Sequence, residues 1–125
     1  MIIHISYCEG RETCFQYGFC PLDEKDDLKK IRAQLYDSDI VFFASPVYVH
    51  GIPGKMNTLF DKIASYTHLL NYAGKLGFTV TTAMNNGQDI VRNYIMDIQE
   101  SIGVKNLDNY IFLKENNSLE NFLKA

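Results

Sequence analysis

Nothing in the 125-residue chain is long and apolar enough to span a bilayer. Runs such as Ile40 to Ala44 fall far short of the roughly 20 residues that a span requires. Basic residues are in deficit, with 12 Lys and Arg against 15 Asp and Glu and a net charge of −3. No basic patch offsets phosphate repulsion, which argues against general affinity for nucleic acid or an anionic membrane surface. The opening Met1-Ile2-Ile3-His4-Ile5 lacks both a basic leader and a small-residue cleavage site, so it reads as the start of a strand. The three cysteines, Cys8, Cys14 and Cys20, cannot all pair. Without an export signal, reduced thiols and a cytoplasmic location are the expectation. There is no internal repeat, low-complexity tract or linker. A nucleophile elbow, H-E-x-x-H and a Walker loop are all missing, so nothing points to a hydrolase. What is present is ordinary for a globular chain, 46% apolar and 22% charged. Its length suits one domain that buries roughly two-thirds of its unfolded surface.

The hydrophobic period switches regularly along the chain. Ile2 to Tyr7 is short, β-branched and aromatic, the pattern of a strand. Residues 8–22 hold Gly10, Gly18, Pro21 and all three cysteines without helical periodicity, so a loop is expected. From Asp23 the pattern turns helical, with Leu28, Ile31 and Leu35 on one stripe and acidic residues in the first turn. Asp39 to Ser45 is a continuous apolar run, as in a strand covered on both faces, and Pro46 stops it. Pro53 suits the first turn of a helix whose Met56, Leu59, Phe60 and Ile63 share a face. Leu76 to Thr82 reads as a strand, followed by turn chemistry at Asn85-Asn86-Gly87. Ile90, Val91, Tyr94, Ile95, Ile98 and Ile102 then mark a long helix, with Gly103 as its end cap. Asn109 to Leu113 is a further strand, and Ser118 can cap a last helix carrying Leu119, Phe122 and Leu123.

This alternation implies βαβ units and a mostly parallel sheet between helical layers. In such α/β sheets ligands sit outside the carboxyl ends of the strands, so the loops 8–22, 46–53 and 83–88 are where chemistry is expected. In Ser45-Pro46-Val47-Tyr48-Val49-His50-Gly51, proline and glycine leave backbone amides outside secondary structure, and Tyr48 adds a flat surface with a polar tip. A planar heteroaromatic ligand needs both features. Spacing alone leaves equally open a tight structural turn whose tyrosine covers the end of the sheet.

Read continuously, DSDIVFFASPVYVHGIPGKMNTLFDKI resembles the central segment of the flavodoxin-like NADPH-dependent FMN reductases, including the iron–sulfur flavoproteins. The matching elements are Asp39, the strand Ile40 to Ala44, Ser45-Pro46-Val47-Tyr48, Gly51 and Leu59-Phe60-Asp61-Lys62. The likeness continues through Gly74-Lys75 and the Asn85-Asn86-Gly87 turn. Asn57 stands where the family commonly has lysine, and Lys62 where it has arginine, so the arginine fork is lost there. The resemblance implies a flavodoxin-like three-layer α/β sandwich over residues 1–125. It also implies FMN as cofactor, NAD(P)H as co-substrate, and a flavin or quinone reductase type of activity. The flavin ring would lie against Ser45, Pro46, Val47, Tyr48, Val49, His50 and Gly51, with Thr82, Asn85 and Gly87 on the other side. No protein residue needs to act as acid or base, because the flavin carries the chemistry.

The same resemblance frames the cysteines. Iron–sulfur members resemble C-x-x-C-x-x-C-x₅-C followed by an acidic pair, here Asp26-Asp27. This chain keeps the first, third and fourth positions as Cys8, Cys14 and Cys20, while Arg11 replaces the second. Clusters are ordinarily held by four thiolates, and a guanidinium donates no lone pair, so no metal site is expected. The family's first strand, phosphate loop and helix have no counterpart here. On the cysteine register, Met1 to Tyr7 matches the family's second strand. Glu9 and Glu12 would repel a phosphate. Losing two or three charge-assisted phosphate hydrogen bonds, at about 1.5–3 kcal/mol each, costs roughly 3–9 kcal/mol. That takes a nanomolar site to roughly micromolar or to no binding. Weak or partner-dependent flavin binding is therefore expected. Strands must lie about 4.8 Å apart, so either Met1 to Tyr7 moves inward beside Asp39 to Ser45 or another chain fills the slot. A homodimer or a partner protein completing the sheet follows. The alternative is a non-catalytic flavodoxin-like subunit that has lost the flavin phosphate site.

Overall fold

A computed structural model describes residues 3–63, 65 and 67–114. The β-branched and aromatic runs expected to be strands form one three-stranded parallel sheet. Its members are β1 (Ile40–Pro46), β2 (Leu76–Ala83) and β3 (Lys105–Leu113), in that order across the sheet. The register pairs Ile40 with Leu76 and Pro46 with Thr82, then Leu76 with Lys105 and Ala83 with Leu113, with a bulge at Gly77/Phe78. β3 begins four residues earlier than the apolar run at Asn109 suggests. Parallel pairing to β2 holds the polar stretch Lys105–Asp108 extended, where local composition gives no strand signal.

Between the strands lie α2 (Leu28–Asp37), α3 (Gly54–Ile63) and α4 (Gln88–Ser101). A short α1 (Thr13–Tyr17) interrupts the expected loop 8–22 and buries no side chain. Residues 23–27, expected to open the first helix, are turns instead, because Asp26 and Asp27 spend their carboxylates on neighbouring backbone. Residues Ser118 to Leu123, expected to be a last helix, lie outside the described residues. One buried cluster unites Leu28 of α2, Val41 and Phe43 of β1, Phe60 and Ile63 of α3 and Val91 and Ile95 of α4. The rings of Phe43 and Phe60 meet edge to face at 5.5 Å. Gln99 is fully buried in this layer, and its amide is satisfied by the Thr79 hydroxyl and the Phe78 carbonyl, both at 3.2 Å.

Two expectations are corrected here. The run Asp39 to Ser45 is covered on one face only, for Val41, Phe43 and Ser45 are buried while Ile40 and Phe42 stay 49% and 63% exposed. The helices that feed the core all pack on the Val41–Phe43 side, which leaves the alternate side chains of β1 open. Nor do the described residues of the segment read as a first strand join the sheet: residues 3–7 have no regular secondary structure and no ladder partner. Side-chain carboxylates have taken the place of a neighbouring strand. The His4 N–H donates to Asp27 Oδ2 at 2.9 Å and the Ser6 N–H to Asp26 Oδ2 at 2.8 Å. The Asp27 N–H returns a bond to the His4 carbonyl at 2.9 Å.

Asp26 is the node of this docking. Its Oδ1 accepts the Leu28 N–H at 2.9 Å, which satisfies the first amide of α2. Its Oδ2 also meets Lys62 Nζ at 3.4 Å. The Lys62 ammonium, only 4% exposed, lies 3.5 Å from both Asp23 Oδ1 and Cys20 Sγ. Arg32 completes the set through Asp23 and the Lys62 carbonyl. Burial disfavours the ionised form of Asp26, yet the Leu28 and Ser6 N–H groups and the Lys62 ammonium outweigh it and hold the carboxyl below its usual 3.8. Burial likewise opposes the charge on Lys62, but Asp26, Cys20 and Asp23 raise its pKa above 10.5.

A Lys62→Met variant keeps the stem and strands a buried carboxylate, so unfolding stability is expected to drop by about 3–5 kcal/mol in urea titration. The acid limb carries the signature of Asp26. Its contribution is fully present above the unfolded value of about 3.8 and fades as pH falls through the lower folded value. Asp26→Asn should therefore flatten the loss of stability below pH ~4. Superimposable wild-type and variant profiles there would refute the assignment. Lys62 adds no slope near neutrality, since its raised pKa is passed only at strongly alkaline pH.

Candidate functional site

β1 and β2 end side by side, and the loops that leave them meet. Pro46 pairs with Thr82 in register, and beyond it the Val47 N–H donates to the Thr82 carbonyl at 2.8 Å. The chain then makes a tight reversal. Tyr48 and Gly51 exchange hydrogen bonds of 2.8 and 2.9 Å, with Val49 and His50 between them at φ of 51° and 61°. Two successive positive φ angles are the demand of a type I′ turn, which glycine and asparagine ordinarily meet. Here a β-branched valine and a histidine meet it at a cost. Val49 is 99% exposed and Tyr48 63%, so the turn presents an aromatic ring and an apolar tip to solvent.

From the other side the β2–α4 loop closes on this turn at Gly87, the N-cap of α4, which has φ of 79°. A Cβ there would fall 2.8 Å from Val47 Cγ1 and 3.1 Å from His50 Nδ1. Only glycine permits that approach. The structure thus brings together Pro46, Val47, His50, Thr82 and Gly87, with Tyr48, Val49 and Gly51 completing the turn. Asn85 is exposed on the same β2–α4 loop. Ser45 is placed differently. It is 3% exposed, and its hydroxyl donates to the Pro46 carbonyl at 2.9 Å, so it lies beneath the loop and shapes it. Met84, 62% exposed between Thr82 and Asn85, joins this end of the sheet. No sequence signal singled it out, because a lone methionine in a turn has no pattern.

Neither 45–51 nor 82–87 contains an Asp, Glu, Lys or Arg. The shared surface therefore combines exposed Tyr48 and Met84 with the backbone groups of two loops, residue types compatible with the planar ring system of a flavin. The phosphate end of such a cofactor finds no cradle in the loop that follows residues 3–7. There Glu9 pairs with Arg11, and Glu12 precedes an α1 of only five residues. Cys8 is exposed and Cys14 and Cys20 are half-buried, all three as free thiols. Among the described residues no three His, Cys, Asp or Glu side chains converge as a metal site. No described helix is long and apolar enough to cross a membrane.

The model of a protein family described as NADPH-dependent FMN reductase matches residues 2–117. An iron–sulfur flavoprotein of Archaeoglobus fulgidus is 30% identical over 101 residues, which cover 80% of this chain and 45% of that protein. The chain thus spans less than half the length of this curated relative. Among solved structures, an NADH:FMN oxidoreductase in its apo form matches with a TM-score of 0.63 at 18% identity, over 86% of this chain and 55% of that one. The general stress protein 14 of Treponema denticola, solved in complex with FMN, matches with a TM-score of 0.62 at 9% identity, over 90% and 71% of the two chains. At these identities the structural likenesses establish the fold, which is flavodoxin-like α/β.

The two loops should respond differently to small changes in backbone freedom. Gly87→Ala forces a left-handed alanine into Val47 and is expected to cost about 2–4 kcal/mol, combining backbone strain with overpacking. Gly10→Ala, at φ of 65° with nothing within 4 Å, should lose only the backbone part, about 1–2 kcal/mol. Val49→Gly relieves a strained residue that touches nothing and should stabilise by about 1 kcal/mol. Urea titration of the three variants ranks them. An equal cost at Gly87 and Gly10 would show that the loops do not pack as described.

Proposed function

The chain belongs to the NADPH-dependent FMN reductase family, and from that premise we propose that it is a flavin-linked oxidoreductase that takes electrons from NAD(P)H. The observation that supports the reading is the meeting of two loops without Asp, Glu, Lys or Arg at the ends of β1 and β2, where the strained Tyr48–Gly51 turn lies against Gly87. The FMN ring would lie between Pro46, Val47, Tyr48, Val49, His50 and Gly51 on one side and Thr82, Asn85 and Gly87 on the other. When bound, FMN supplies the acceptance and onward release of the hydride's two electrons. The chain's own part is positional. Tyr48 offers a face for stacking, the backbone of the turn offers donors and acceptors to the ring edge, and Val49 with Met84 excludes water from it. Ser45 acts from below by fixing the carbonyl of Pro46.

Flavin binding is weak or depends on a partner, because Glu9 and Glu12 would repel a phosphate and the loop that carries them offers it no cradle. The soluble, cytoplasmic protein would work as a homodimer or with a partner protein that completes the sheet beside β1. Those same two carboxylates favour one second reading, a non-catalytic flavodoxin-like subunit that keeps the scaffold without the cofactor.

Titration of the purified protein with FMN, followed by quenching of flavin fluorescence, separates the two readings. Saturable quenching in the micromolar range is expected, and Tyr48→Ala should weaken it about tenfold, in line with one lost stacking contact. A colourless protein that quenches nothing up to millimolar FMN would leave the non-catalytic reading.

A further inference from the structure

Cys20 stands where a surface cavity meets the buried charge cluster, and the flavin reading gives its thiol no part. Its Sγ accepts a hydrogen bond from Lys62 Nζ at 3.5 Å. That ammonium is buried, and it also meets Asp23 Oδ1 at 3.5 Å and Asp26 Oδ2 at 3.4 Å. Cys20 itself is half-buried and helps line a cavity of about 370 Å³, with Gly18, Phe19, Pro21, Glu24 and Arg32. A space of that size admits many water-sized molecules, and hydrogen peroxide is scarcely larger than water. A free thiol within reach of solvent and beside a cation is the setting in which cysteines react with oxidants.

We propose that Cys20 and Lys62 are a redox cross-linking pair: peroxide oxidises the thiol, and the lysine nitrogen then captures the sulfur as a sulfenamide. The proposal goes beyond the flavin reading and does not depend on it. In the first step hydrogen peroxide takes two electrons from the sulfur. Its O–O bond breaks, Cys20 becomes a sulfenic acid and one water leaves. In the second step the S–O bond breaks as Lys62 Nζ forms an S–N bond, and a second water leaves. Of the two protons that the ammonium gives up, one departs in that water. The other passes to the Asp23 carboxylate and on to solvent.

Sulfenic acids condense with backbone nitrogen in this way. Here a side-chain nitrogen is already in contact, so the step is intramolecular and the flexible lysine stem closes the gap. Asp23 and Asp26 hold the charge on Lys62, which slows the attack, and a sulfur fixed beside the nitrogen offsets that cost. A cysteine alone would go on to irreversible acids, whereas the linked product is one that thiols reverse. Once linked, the nitrogen is uncharged. Asp26 then keeps the Ser6 and Leu28 N–H groups but loses its cation, so oxidation reaches the contact that docks the amino-terminal segment.

Mass spectrometry of the whole chain after hydrogen peroxide treatment tests the pair. A Cys8→Ser/Cys14→Ser background leaves Cys20 as the sole thiol, so no disulfide within the chain is available. The expected product has lost two hydrogens, and its non-reduced digest joins the peptide of Cys20 to that of Lys62. Dithiothreitol should restore the starting mass and separate the two peptides. Lys62→Arg keeps the positive charge but offers no nitrogen that sheds its proton, so that variant should stop at added oxygen. The same digest of the wild-type chain reads the linkage without any substitution, so the outcome does not depend on how well a variant folds. Peptides joined at Cys20 and Lys62 in the wild type support the proposal. Peroxide that only adds oxygen to Cys20, leaves it a free thiol or places it in a disulfide, with no peptide joined to Lys62, overturns it. A sulfur–nitrogen link that persists in Lys62→Arg overturns it as well.

Discussion

The ammonium of Lys62 reaching Asp26 inside the protein is the contact on which the rest of the arrangement depends. Taking two charges out of water is costly, and the pair persists because each partner has further bonds to repay it. Asp26 accepts from the backbone of Ser6 and Leu28, while Lys62 also meets Asp23 and Cys20. Through these bonds one residue of α3 holds the amino-terminal segment, the start of α2 and the cysteine-bearing loop together. Lysine does this as a point charge shared among three neighbours. The forked geometry of arginine would have favoured one bidentate carboxylate instead.

That choice bears on the sheet. With Asp26 and Asp27 satisfying the donors of His4 and Ser6, residues 3–7 have little reason to leave the helix start and pair with β1. Among the described residues no strand pairs with the outer edge of β1, and Phe42 stacks against Phe78 on its open side. Polar satisfaction at one place thus leaves backbone groups unpaired at another. Among the described residues the sheet has one tightly packed face, built on Val41, Phe43, Phe60 and Ile95, and one on which Ile40 and Phe42 stay exposed.

The cleft follows a different logic. Its position comes from strand order, since parallel strands end together and their loops must share the space above them. Its shape comes from the costly left-handed Val49–His50 pair and from Gly87, whose missing Cβ lets the second loop approach Val47 and His50. An uncharged site made this way suits an aromatic ring and offers little to a phosphate.

The apolar runs at Ile40 and Leu76 and the 3.6-residue stripe from Ile90 to Ile102 were sufficient for the parallel strands and for α4. The stripe is periodic over enough residues that no other local structure competes, and the runs are short, apolar and bounded by turn residues, as strands are. The S-P-V-Y block and the Asn-Asn-Gly turn likewise marked the loops that form the cleft, because proline, tyrosine and glycine carry conformational meaning wherever they stand. Tertiary structure alone decided the fate of Ile3 to Tyr7, whose strand-like composition yielded to two carboxylates 20 or more residues away. It also decided that Lys62 is buried and that Ser45 lies beneath its loop, and it made Val49 left-handed. Which face of β1 is covered was decided in the same way. In each of these cases the outcome depends on what lies beside the residue in space, and a one-dimensional pattern of polarity does not encode that neighbour.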